Sequence, residues 1–300
     1  MREQLQNLLQ QRVRQYVSQT RSELHDCPLI EKTKESCARR GAEIVRTTAE
    51  GKITGEKENN EGTEVFYTVH FKYLIKQKHE FIIEERVEER KAEFYKGVLV
   101  DDEEFDIEIL RTPEAESLGE RVTDIFERTA DESEQRTSFQ YDRLKAVQYA
   151  ERWWNDYNPA YKKFEVDCTN YISQCLHAGG APMQGYSDRA KGWWMRNNNW
   201  SYSWSVANSM RWYLPGSNVG LKAKEVSNPS QLSPGDVICY DFQGDGRFDH
   251  TTIVTAKDAD GMPLVNAHTT NSRKRYWAYE DSTAYTPDIK YKFFTVVDDQ

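Results

Sequence analysis

The residues of this 300-residue chain best suited to nucleophilic chemistry are its five cysteines and six histidines, and their surroundings set a few of them apart. Cys168 lies in the run Asp167-Cys168-Thr169-Asn170-Tyr171-Ile172-Ser173-Gln174-Cys175-Leu176-His177-Ala178-Gly179-Gly180. Cys168, Tyr171, Ile172, Cys175 and Leu176 recur at the spacing of one helical face, which predicts a buried helix. Asp167 suits an N-cap and the two glycines a C-terminal stop. Cys168 then falls in the first turn, where free backbone N–H groups and the helix dipole favour the thiolate, the nucleophilic form of the side chain. Cys175, two turns further along, reads as core. The odd cysteine count and the lack of a CxxC pair argue against a disulfide framework and a thiolate zinc site. Reduced thiols, no metal and no cofactor are expected.

A thiolate nucleophile needs a base, and the base needs an orienting partner. His250, preceded by Asp249, opens the β-branched run Thr251-Thr252-Ile253-Val254 and so stands at the start of a strand. The turn Ser233-Pro234-Gly235-Asp236 introduces the preceding strand, residues 237–242. The following strand, residues 264–269, carries Asn266 and His268. A hairpin return brings either of them beside His250, and spacing does not choose between them. Asp241, Asp245 and Gly246 have the spacing of the first half of a calcium loop, but Thr252 stands where the closing Glu is needed, so this stretch reads as a hairpin turn presenting His250. The loop holding Trp193, Trp194 and Trp204 offers aromatic surface for a glycan or peptide, with core packing as the alternative.

These residues must be held by elements in the second half of the chain. Residues 1–140 carry 31 acidic and 22 basic side chains, whereas residues 141–300 carry 18 of each and all eight Trp. The division predicts an N-terminal domain over residues 1–100, an acidic linker over 101–140 and a C-terminal domain over 141–300. In the first, Leu5, Leu9, Val13 and Tyr16 predict an amphipathic helix within residues 1–24, and residues 43–54, 63–76 and 80–95 predict an antiparallel meander, a small α+β domain with the helix on the sheet. Residues 101–140, with 14 acidic and 4 basic side chains, read as an extended solvated spacer.

The Cys168 helix, the turn at Asp236, the Asp249-His250 strand start and the strand ending Asn266-Ala267-His268-Thr269-Thr270-Asn271 resemble, in the same order, the amidase domain of Bacillus-type bacteria. This family lies among the papain-like cysteine hydrolases, near NlpC/P60 and CHAP. The resemblance covers residues 141–298 and implies a papain-like α+β fold, a Cys nucleophile carried by Cys168 and a His base carried by His250. It implies His268 as the third polar residue, with Asn266 as its competitor, and Asp167, Asn170 and Asp249 as supporting groups.

The resulting expectation is a cysteine-dependent amide hydrolase acting on a peptide or a peptidoglycan-derived peptide. An acyltransferase using the same thiol and a non-catalytic wall-binding or peptide-binding module are the alternatives. A net charge of −9 argues against nucleic acid. A mean hydropathy of −0.85, with no apolar run near the ~20 residues of a membrane span, argues against a membrane. No secretory signal is visible, which suggests a cytoplasmic protein whose N-terminal domain serves a protein partner.

Overall fold

The computed structural model describes residues 1–18, 27–58, 62–104 and 139–298. It divides into two units, Met1–Ile107 with Thr270–Tyr285, and Glu108–Thr269 with Thr286–Gln300. The protein is mixed α+β, with antiparallel strands and several helices. No described helix is long and apolar enough to cross a membrane.

The first unit opens with helices α1 (Arg2–Val17) and α2 (Cys27–Arg39). Strands β1 (Ala42–Glu58), β2 (Thr63–Gln77), β3 (Glu80–Tyr95) and β4 (Val98–Glu104) follow, each pairing antiparallel with the next. Alternation along β2 places Val65, Tyr67, Val69, Phe71 and Tyr73 on one buried face. Tyr16 of α1 packs edge-on against the rings of Phe71 and Tyr73. Each such buried ring contributes roughly 2–3 kcal/mol. The β3–β4 hairpin turns through Lys96 and Gly97, both at positive φ, which matches the twist of the flanking strands. Asp101–Glu104, expected in a spacer, belong to β4 instead. Here the Asp102 side chain, 5% exposed, takes ion pairs from Arg12 (2.8 Å) and Arg90 (2.5 Å), so the acidic composition conceals a strand. The rest of the expected linker, residues 105–138, lies outside the described residues.

The second unit is ordered α3 (Arg143–Trp153), α4 (Cys168–Ala178), the two-residue strands β5 (Met195–Arg196) and β6 (Asn199–Trp200), α5 (Tyr202–Ser205) and α6 (Ala207–Gly216). Strands β7 (Ala223–Val226), β8 (Val237–Asp241), β9 (His250–Lys257) and β10 (Pro263–Ala267) come next. The chain then contributes β11 (Ser272–Tyr276) to the first unit before β12 (Lys290–Val296) ends the second. The second unit's strands run in the antiparallel order β10-β9-β8-β12-β7. Its core joins Tyr171, Ile172 and Cys175 of α4 to Val237, Cys239 and Ile253 of the sheet. Asp236, fully buried at the turn before β8, accepts from Ser233 N (2.8 Å), Val296 N (2.9 Å) and Arg143 Nη1 (2.6 Å). These bonds tie the turn to the start of α3 and the end of β12.

Residues 270–285, expected with the C-terminal half, belong to the first unit. Ser272 and Arg273 pair with Arg86 and Glu85 on β3. Asp281 accepts from Arg86 and from Arg275 (2.9 Å). Burial alone would raise the Asp281 carboxyl, but Arg275 and Arg86 draw it well below the carboxylate range.

Candidate active site

Helix α4 begins at Cys168, as its apolar periodicity predicts, and Asp167 stands at the N-cap position. The Asp167 carboxylate does not cap the helix amides. Its Oδ1 accepts from Phe164 N (2.9 Å) and Asn170 Nδ2 (2.9 Å), and its Oδ2 lies 2.8 Å from His268 Nδ1. The Asp167 N–H donates to Thr269 Oγ1 at 3.0 Å, so both ends of this residue are tied down. Asn170 also donates to the Lys162 carbonyl and accepts from Trp204 Nε1 (2.8 Å). The first turn of α4 is therefore fixed from three sides.

His268 just follows β10, stacked on Tyr171 with centroids 4.0 Å apart and planes 11° apart. Tyr157 approaches the ring at 4.9 Å. His268 Nε2 lies 2.7 Å from the Trp153 carbonyl, which only accepts, so Nε2 is the donor. The Asp167 carboxylate also accepts, so Nδ1 donates as well. With both ring nitrogens committed, neither is turned to His250, and His268 acts on the Cys168 turn through Asp167. The competitor for the third position is also engaged: Asn266 accepts from Thr255 (2.9 Å) and donates to Glu151 (3.0 Å).

Cys168 is buried, with its Sγ 3.7 Å from Thr169 Oγ1. Thr169 Oγ1 lies 3.1 Å from Thr251 Oγ1, at the second residue of β9. Thr251 follows His250 directly and pairs with Cys239 on β8. The residues after Cys168 and after His250 thus touch. The buried His250 ring lies near those of Tyr240 (5.6 Å) and Phe242 (6.2 Å), and Asp249 donates its N–H to the Tyr240 carbonyl. The Asp241 carboxylate accepts from the N–H groups of Gly244 (2.7 Å), Asp245 (3.2 Å) and Gly246 (2.8 Å), which builds the turn that leads to His250.

The aromatic groove expected from Trp193, Trp194 and Trp204 does not form. All three are at most 1% exposed. Their indole N–H groups are used internally, on Ser173 Oγ, the Lys191 carbonyl and Asn170 Oδ1 respectively. They are core residues, because a large ring with its one donor satisfied gains most by full burial. Sequence reading missed Thr169, Thr251 and the Trp153 carbonyl, since hydroxyl and backbone contacts carry no periodic signal. A crevice of about 10 Å³, bordered by Tyr157, Lys163, Asp167 and His268, opens beside the fixed turn.

A model of the family described as "Putative amidase domain" matches residues 140–294, the stretch that holds every residue of this site. The chain belongs to that family. It is 50% identical over 280 residues, 93% of this chain and 89% of the relative, to "Uncharacterized protein YhbB" of Bacillus subtilis (strain 168). It is also 34% identical over 140 residues, 44% of this chain and 31% of the relative, to "Uncharacterized protein YjcM" of the same organism. No solved structure matches.

Proposed function

We propose that the second unit is a papain-like cysteine amide hydrolase with Cys168 as nucleophile and His250 as general base. The observation that carries this reading is the 3.1 Å contact between Thr169 and Thr251, which sets the helix turn bearing Cys168 against the strand start bearing His250. His250 takes the thiol proton, and Sγ attacks the amide carbonyl carbon. As the C–N bond breaks, His250 returns the proton to the leaving amine. Water then cleaves the thioester and regenerates the thiol. The Cys168 N–H, in the first turn of its helix, is the first oxyanion donor. Asp167, Asn170 and His268 are positioning residues that hold this turn. The substrate is an amide in a peptide or a peptidoglycan-derived peptide.

The test is digestion of purified muropeptides and a peptide library, read by mass spectrometry. Cleavage by the wild type, abolished in Cys168→Ala with folding intact, is expected. Full cleavage by Cys168→Ala would sink the assignment. Release of free acid in buffer with no acceptor amine marks hydrolysis, whereas product formed only when an acceptor amine is added marks acyl transfer. The burial of Trp193, Trp194 and Trp204 favours this reading over a binding module built on those three rings.

A further inference from the structure

A large cavity among the described residues lies in the first unit, and no residue discussed above as catalytic lines it. It measures about 800 Å³, within the roughly 300–1,000 Å³ of ligand pockets, and opens between α1 and β1. Its apolar wall is built by Leu5, Leu9 and Val13, one stripe of α1, facing Ile53 of β1. From Arg2 to Arg14, at about 1.5 Å per residue, the helix side of the wall is about 18 Å long. That shape suits an extended chain better than a compact ring system.

The charge of the lining is one-sided. Arg2, Arg14 and Lys52 border the cavity, all three exposed, and no Asp or Glu does, although the surrounding half of the chain is strongly acidic. The nearby cation Arg12 is excluded from this set, because it is buried and paired with Asp102. Thr47 on β1 adds a separate observation. It lines the cavity, is 5% exposed, and its hydroxyl has no hydrogen-bond partner. A buried hydroxyl left unpaired carries a desolvation cost that an acceptor would relieve.

We infer that this groove binds a single-chain anionic amphiphile, with the chain along Leu5, Leu9 and Val13 and a carboxylate or phosphate head drawn to Lys52, in the positive field that Arg2 and Arg14 add at the two ends of the helix wall. The inference does not depend on the amidase reading, since no residue is shared.

The experiment is calorimetric titration of the full chain, below micelle concentrations, with laurate, dodecyl phosphate, dodecyltrimethylammonium and inorganic phosphate. Saturable binding of laurate or dodecyl phosphate, at least about tenfold tighter than that of the cationic analogue and of inorganic phosphate, is expected. The better head group identifies the source as a fatty acid or a phosphorylated lipid. Lys52→Glu, at an exposed strand position, should weaken both anionic ligands about tenfold, and Leu9→Trp should fill the groove and abolish binding. Equal binding of the cationic analogue, or unchanged affinity in Lys52→Glu, would overturn the inference even if Leu9→Trp does not fold.

Discussion

Asp167→Ala is the substitution that bears most directly on how the catalytic turn is held. In the native protein the carboxylate is buried and takes three donors at 2.8–2.9 Å, from Phe164, Asn170 and His268. Removing it strands those donors away from water, at about 1–3 kcal/mol for each unsatisfied group. The losses are not additive, because the three share one acceptor, so about 3–5 kcal/mol in all is expected. Urea unfolding followed by Trp emission reads mainly this unit, since seven of the eight Trp lie in it and only Trp277 lies in the first. With a slope of about 2 kcal/mol per molar, the midpoint should fall by about 2 M. His268→Ala should fall by a similar amount, and the double variant by much less than the sum. A loss under about 1 kcal/mol in Asp167→Ala, or strict additivity of the pair, would refute the clamp.

Two further substitutions test separate parts of the fold. Glu85 is pushed down to about 2 by hydrogen bonds from His70 and Arg273, so its stabilising effect is present above the unfolded carboxyl value near 4.5 and is lost as pH falls toward 2. Glu85→Gln should therefore be less stable than wild type by roughly 2 kcal/mol at neutral pH, after allowance for solvent screening, with the gap closing between about pH 4.5 and 2; a gap that persists at pH 2 would disprove the ion-pair origin. Trp204→Ala should cost about 3–5 kcal/mol in urea unfolding, whereas a groove-lining role would lower substrate affinity at unchanged stability.

What could be read from the sequence was what repeats. The alternation of β2, the helical face of α4 and the β-branched start of β9 all follow from side-chain period, and each element stands where that period places it. Helix α2 is not among the elements read from the sequence, although its apolar and charged residues segregate to opposite faces. The strand at Asp101–Glu104 is missed because the partners that neutralise it, Arg12 and Arg90, lie far back in sequence. Residues 270–285 carry no compositional break, and only the pairing of Arg273 with Glu85 and of Asp281 with Arg86 reveals their place. At the site, the order Cys168, His250, His268 is plain in the chain. The direction of the His268 ring is not, because it depends on a backbone carbonyl 115 residues away.

The cysteines show why position rather than exposure must single out the nucleophile. Cys37, Cys168, Cys175 and Cys239 are all free thiols at most 3% exposed, so accessibility does not separate them. Burial pushes the Cys37 thiol up to about 11 and raises Cys175 and Cys239 as well, which keeps those three protonated and inert at neutral pH. Cys175 sits two turns inside α4 and Cys239 in the middle of β8, where backbone N–H groups are already spent on the helix and the sheet. Cys168 alone among them occupies a helix's first turn, where N–H groups and the dipole act in favour of a thiolate. The same packing that fixes this turn also covers Sγ, so a substrate reaches it only as the surrounding side chains yield. For that reason the proposed chemistry requires both a rigid helix start, supplied by Asp167 and His268, and a local opening around Cys168.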